Sequence, residues 1–403
     1  MLASLITLMP TQLGKHFWPP FAYENGIRID YLSPTFYLTD FIIIALVGLW
    51  LIRKKQAAGK IFRQSKGIRI SGLLIIFILF NLKMSSRPAL SLYAWTKLGL
   101  LTALFWYVKT ESTSVIKYLY RFLPIAMTYS SLLAIAQVVK QGSLAGPMYW
   151  LGERWFSIAT PGIAKTQALG RLLLRPYATF PHPNALAGFL VVALIFIFEA
   201  IGSKPKKNLT ANCIVLGLSI LVIAISFSQS AWLVLIMGII VKLVRKYRKR
   251  AIPWVLSFTL IALWLFWLIP IEKESIAQRA IISTAALTMI KDYPITGIGL
   301  GNFIPNLDRL VRGNQVFSSP FLFYQPVHNI FLLAGAETGL LGLCALVWLF
   351  GKAIREASSK GMGNIVLVLS AILLLGLVDH YWITLQQTRL FLTILLAISL
   401  NKA

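Results

Sequence analysis

Apolar residues run along this 403-residue chain in long blocks, separated by shorter basic or polar breaks. A block of roughly 20 apolar residues can cross a bilayer as a helix. The blocks mark twelve candidate spans: residues 1–13, 35–52, 68–83, 89–108, 117–139, 184–201, 209–227, 230–244, 252–271, 327–350, 364–383 and 388–401. No internal repeat or low-complexity tract interrupts them. The pattern predicts an all-α polytopic membrane protein with one integral domain over residues 1–403. Met1 to Met9 are apolar with no basic lead, which predicts a short retained first span rather than a cleaved signal peptide.

Composition agrees. Hydrophobic types make up 57% of the chain and charged types 13%, against about 45–50% and about 25% in soluble domains. The net charge of +26 would suggest nucleic acid on a soluble protein. Here the basic residues gather between apolar blocks, so the positive-inside rule accounts for them and no nucleic-acid partner is expected. With the N-terminus inside, the inner loops hold 22 Lys and Arg and the outer segments 15, with Lys97 and Arg121 inside spans. Two outer loops, about 140–183 and 272–326, are too long for simple connectors. All four histidines, His16, His182, His328 and His380, fall at outer ends of spans. Cys213 and Cys344 lie in apolar blocks and fit neither a metal spacing nor a disulfide framework.

Three stretches carry candidate chemistry. Pro326 suits the first turn of a helix in which His328, Gly335, Gly339 and Gly342 share one face. Those glycines allow close packing by another helix, and Glu337 on the opposite face needs a buried partner. The same pattern also suits a plain packing seam with His328 as an interfacial cap. In Arg175-Pro-Tyr-Ala-Thr-Phe-Pro-His-Pro-Asn184 the prolines hold an extended lead-in, and Asn184 is a natural N-cap. Helices starting after Asn184 and Pro326 would both aim positive N-terminal ends outward, at an anion that Arg175 could share. The alternative is a rigid turn whose arginine reaches lipid headgroups. In the third stretch Ile276 to Ile290 reads as an amphipathic helix carrying Arg279. Gly297-Ile-Gly-Leu-Gly301 follows as a flexible turn, since Asn302 replaces the third glycine of a dinucleotide fingerprint. No zinc-protease, Walker or paired-carboxylate motif is present, and no metal or cofactor is expected.

His328, Asn329, Gly339 and Gly342 complete the pattern His-Asn-x9-Gly-x2-Gly. It resembles the signature of the O-antigen ligase and O-antigen polymerase superfamily of bacterial membrane glycosyltransferases. Phe180-Pro-His-Pro-Asn-Ala-Leu-Ala-Gly188, and Arg279 with Tyr293-Pro-Ile-Thr-Gly-Ile-Gly-Leu-Gly-Asn-Phe303, are similar to two further segments of that family. The likeness runs from about residue 170 to the end. It implies a C-type glycosyltransferase architecture in the cytoplasmic membrane with an extracytoplasmic site. It implies a glycan donor on undecaprenyl pyrophosphate, an acceptor that is a glycan, glycolipid or protein, and metal-independent inverting transfer. The family's histidine maps onto His328, with Asn329 beside it, and a functional arginine onto Arg279. Arg175, Asn184 and His182 are the other expected pyrophosphate-binding residues. Where family members often carry Ser-Arg, this chain has Ser228-Gln229, and Arg175 is the candidate substitute. The competing class is a transporter of lipid-linked sugars, against which stand the missing repeat and the polar groups gathered at one mouth.

Overall fold

In a computed structural model, residues 1–54, 65–168, 170–203, 209–248, 273–311 and 324–401 are described. The helices are α1 Leu2–Thr7, α2 Leu38–Arg53, α3 Ser65–Met84, α4 Pro88–Thr110, α5 Ser112–Lys140, α6 Pro183–Ser203, α7 Leu209–Ile225, α8 Gln229–Tyr247, α9 Lys273–Asp292, α10 Phe303–Val311, α11 Ile330–Ser359, α12 Gly363–Gly376, α13 Tyr381–Thr384 and α14 Gln386–Ser399. Strands are few: hairpin pairs β1 Gly14–His16 with β4 Thr35–Tyr37, β2 Tyr23–Glu24 with β3 Ile27–Arg28, and β5 Lys165–Ala168 with β6 Arg171–Leu174.

Ten of the expected spans coincide with described helices or their greater part. The span 252–271 lies outside the described residues. The span 1–13 does not form: α1 has six residues, about 9 Å of rise, and the chain turns off at Pro10, where a helical amide is missing. Its buried Leu2, Leu5 and Ile6 join the core instead. Among the described helices, α5 and α11 are long and apolar enough to cross a membrane, and Gly72–Met84, Pro183–Phe198, Asn212–Ile225 and Gly363–Gly376 are shorter apolar helices. The outside of the bundle is apolar: Phe41, Leu73, Ile75, Leu79, Leu132, Leu341 and Trp348 are all exposed. A water-soluble protein does not present such a surface, whereas lipid tails make it neutral.

The bundle has two chemically distinct ends. At one, Lys54 pairs with Glu111, Arg245 donates to the Gly363 carbonyl at 3.3 Å, and Lys360 reaches the Ser399 carbonyl at 3.0 Å. At the other lie the hairpins and all four histidines. Between the ends, Lys97 of α4 is ion-paired with Asp40 of α2, both buried, and Gln386 donates to the same carboxylate at 2.8 Å. That network ties the start of α14 to α2 and α4.

The glycine segment after α9 is a strut, not a flexible turn. Helix α11 breaks at Gly339, where φ is 67° and ψ −173°. The freed peptide groups bond to residues 294–299: Leu340 N–H to the Pro294 carbonyl at 2.7 Å, Ile298 N–H to Ala336 at 3.0 Å, and Gly299 N–H to Glu337 at 3.1 Å. Buried Asn81 clamps the joint, donating to the Thr296 and Glu337 carbonyls and accepting from Leu300 N–H. A Cβ on Gly339 would lie 2.3 Å from the Ile295 oxygen, and one on Gly297 2.4 Å from the Glu337 carbonyl carbon. The glycine face of α11 therefore receives α9 and this strut, with Ile290 against Gly335, while Gly342 meets only Thr338 of its own helix. The partner of Glu337 is the start of α10, whose Phe303 N–H it accepts at 3.3 Å.

The strut predicts an asymmetry among glycines. Gly297→Ala places a side chain at φ +68° against backbone, costing about 1–3 kcal/mol in strain before any clash. Gly48→Ala, with nothing within 4 Å, should be neutral. Thermal unfolding in detergent checks both, and equal melting temperatures would refute the docking.

Candidate active site

Three chain breaks meet at the histidine end. The first precedes α6. Buried Gln137 accepts Ala178 N–H at 2.7 Å and donates to Glu153 at 2.8 Å, which holds the proline-rich lead-in. Phe180 is buried in the core, so His182 is presented just before Pro183. The His182 Nδ1 accepts Asn184 N–H at 3.1 Å. Burial, with Arg175 adding to it, pushes the His182 imidazole down to about 3, so it is neutral and able to accept. His182, not Asn184, caps this helix.

The Asn184 side chain does something else. Its oxygen accepts from Arg175 Nη2 at 2.7 Å, and its nitrogen donates to Asp379 at 3.3 Å. The Arg175 Nε also donates to the Ser226 carbonyl at 2.6 Å. Arg175 therefore stands beside the start of α8, where Gln229 occupies the place of the family's usual arginine.

The second break precedes α11. The helix begins at Ile330, later than Pro326, and Asn329 is its N-cap. The Asn329 oxygen accepts from Phe331 N–H at 2.8 Å and Leu332 N–H at 3.0 Å, and its nitrogen donates to the Leu377 carbonyl at 3.0 Å. This is the geometry of a cap that positions its neighbour rather than of a group left open to a sugar. It also means that several first-turn amides are already engaged, that of Asn184 by His182 and those of Phe331 and Leu332 by Asn329. Both helices lend this end their dipoles.

The third break was drawn as continuous span. Helix α12 ends at Gly376, and Asp379 and His380 lie in the non-helical turn before α13. Gly188 of α6 makes room for this turn: a Cβ there would lie 2.0 Å from the Tyr381 hydroxyl. His328 Nδ1 lies 3.5 Å from Asp379 Oδ1, an ion-pair distance beyond a formed hydrogen bond. Nδ1 is buried and has no other partner. The His328 and His380 rings are 5.3 Å apart. His380 N–H donates to Asp379 at 2.8 Å, and its Nδ1 is bonded to the Thr384 hydroxyl at 2.8 Å. Burial opposes ionisation of Asp379, but neighbouring His328, His380 and His182 outweigh it and hold the carboxyl below the usual aspartate range. Burial pushes His380 down to about 3, against the pull of Asp379, with the charge of Arg279 also reaching it.

Most of the sequence-selected residues thus converge. Arg175, Asn184, Asp379 and His328 form one polar chain, flanked by His182 and His380, while Arg279 on α9 is exposed. His16 stays in the N-terminal hairpin region, bonded to Thr35. Asp379 is the residue that sequence reasoning missed. Its signal was there, since an acidic residue beside a histidine inside an apolar block is costly without a task. The ligand atoms of His328, Asp379 and His380 lie within 4.8 Å of one another, so this trio could hold a divalent ion. Chemically, the cluster offers a histidine oriented by a carboxylate, with the Arg175 guanidinium linked to that carboxylate through Asn184.

No curated protein matches the chain. A family model described as O-Antigen ligase matches residues 214–347. The match takes in Arg279, the strut and His328, and it leaves out Arg175, His182, Asn184 and Asp379, so it is narrower than the likeness from residue 170 onward. Over those residues the chain is similar to the O-antigen ligase family.

Proposed function

We propose that this protein is a membrane glycosyltransferase that moves a glycan from undecaprenyl pyrophosphate to an acceptor hydroxyl at the outer face of the cytoplasmic membrane. The observation that carries the reading is His328, inside the family match, beside Asp379, which Asn184 links to Arg175. The basic end of the bundle then faces the cytoplasm.

Transfer needs a base for the acceptor hydroxyl and charge for the leaving pyrophosphate. With Nδ1 turned to Asp379, His328 takes the acceptor proton at Nε2 as the oxygen attacks the anomeric carbon. The bond from that carbon to the pyrophosphate oxygen breaks on the opposite side, inverting the centre. Asp379 holds the ring and stabilises the imidazolium that forms, the logic of an oriented base. Arg279 and Arg175 take the growing charge on pyrophosphate. Asn184 and His182 hold Arg175 and the helix start in place, and Asn329 fixes the backbone next to His328. No metal is required in this scheme, because guanidinium groups fill the electrostatic role.

His328→Ala should fold and bind donor but transfer more slowly by roughly 10²–10⁴. Asp379→Asn should slow transfer by at least about tenfold, and the double variant should be no worse than His328→Ala alone, because the two act as a unit. The rate should fall on the acid side of its pH profile; a fall on the alkaline side would instead mark His328 as a phosphate-binding cation. Arg279→Lys should lose most of the activity although the charge is kept, since Lys cannot make the paired N–H contacts; unchanged donor turnover in Arg279→Ala would reduce Arg279 to a surface anchor. Purified protein in detergent should form product in the presence of EDTA. Absence of product in detergent would favour a transporter, and rescue by one divalent ion would overturn metal independence.

A further inference from the structure

The N-terminal segment 14–37 lies outside the superfamily match, yet it reaches the active site. Its 3-10 turn Asp30–Leu32 places the Tyr31 ring 5.5 Å from the His380 ring in an edge-to-face arrangement. His380 in turn lies 5.3 Å from His328. Tyr31 is therefore two ring contacts from the proposed base, within reach of a sugar whose reacting atom meets His328.

The ring is open: Tyr31 is 41% exposed, and His380 covers one side of it edge-to-face. Other exposed aromatics differ: Trp150 and Trp155 are more exposed, at 71% and 82%, and Trp150 packs on Tyr149. They suit an interfacial belt.

Tyr31 is also held rigidly. Its neighbours Ile29 and Leu32 are buried, and Asp30 lies 4.0 Å from Arg154, which donates to the Pro181 carbonyl beside His182. Arg87 of α4 pins the hairpin below, ion-paired with Glu24 at 2.6 Å and donating to the Phe21 carbonyl at 2.7 Å. A fixed aromatic face loses little entropy on binding. Its electron-rich surface attracts the polarised C–H groups on one face of a pyranose ring.

We infer that Tyr31 is a sugar-stacking residue beside the histidine cluster, and that the N-terminal segment forms the glycan-binding wall of this enzyme. The inference rests on the glycosyltransferase reading above. It assigns specificity to a segment separate from the one that carries the chemistry.

The test uses full-length protein in nanodiscs and two probes: undecaprenyl pyrophosphate bearing the host cell's surface glycan, and undecaprenyl pyrophosphate alone. Tyr31→Ala should weaken binding of the glycan-bearing probe about tenfold and leave the bare carrier unchanged. Tyr31→Phe should behave as wild type, and Tyr31→Leu as Tyr31→Ala. If donor binding holds but the acceptor KM rises about tenfold with kcat kept, the stacked sugar belongs to the acceptor, and the inference stands. Unchanged donor binding and acceptor KM in Tyr31→Ala would overturn it, as would a Tyr31→Phe as impaired as Tyr31→Ala. His328→Ala, run alongside, separates the two ideas: loss of transfer there with a silent Tyr31→Ala removes only the stacking role, whereas transfer by His328→Ala removes the underlying reading.

Discussion

The break in α11 at Gly339 would be ruinous in an apolar setting if its peptide groups were left unpaired, because each buried orphan costs several kcal/mol. Foreign backbone repairs it. Pro294, Ile298 and Gly299 take over the hydrogen bonds that the helix gives up, and Asn81 closes the joint from α3. The rest of the site depends on this repair. His328 stands at the head of α11, and Arg279 rides on α9, which runs straight into the strut. The placement of α11 against the segment that follows α9 is therefore set by main-chain contacts.

A second constraint acts on the turn that carries Asp379. Burying a carboxylate is unfavourable unless it is paired and hydrogen-bonded. Here it receives the Asn184 amide and the His380 N–H, with His328 at ion-pair distance. The turn is hung from both sides. Asn329 holds Leu377 on one side, and Gln386 is tied to the Lys97–Asp40 pair on the other. The Asp379 group and the Lys97–Asp40–Gln386 group thus brace this turn from its two sides.

Much of this was legible in the sequence. Long apolar blocks gave the helices, and the proline-rich lead-in, the Arg279 helix and the His328 motif all pointed to one end of the bundle. What escaped has physical causes. Periodicity treats a helix as regular, so it could not show that Gly339 breaks α11 or that Asp379 sits in a turn between α12 and α13. A Gly-x-Gly-x-Gly segment signals permissive backbone, which suits a loose loop and a tight dock equally well. Cap identity depends on where a helix actually starts, and a start two residues earlier gave the role of Asn184 to His182. The six-residue α1 is apolar because it is buried against the bundle, and apolarity alone does not distinguish core from lipid.

The strut also bears on how this chain can vary. Its grip on α11 is made by carbonyls and amides, and the side chain of Ile295 points away with 65% of its surface exposed. Such a joint reads spacing rather than residue type. Between Pro294 and Gly301, exchanges at open positions leave the joint intact, while one inserted or deleted residue shifts every donor out of step with its acceptor. Among homologous chains this stretch should thus tolerate drift in identity and resist any change in length.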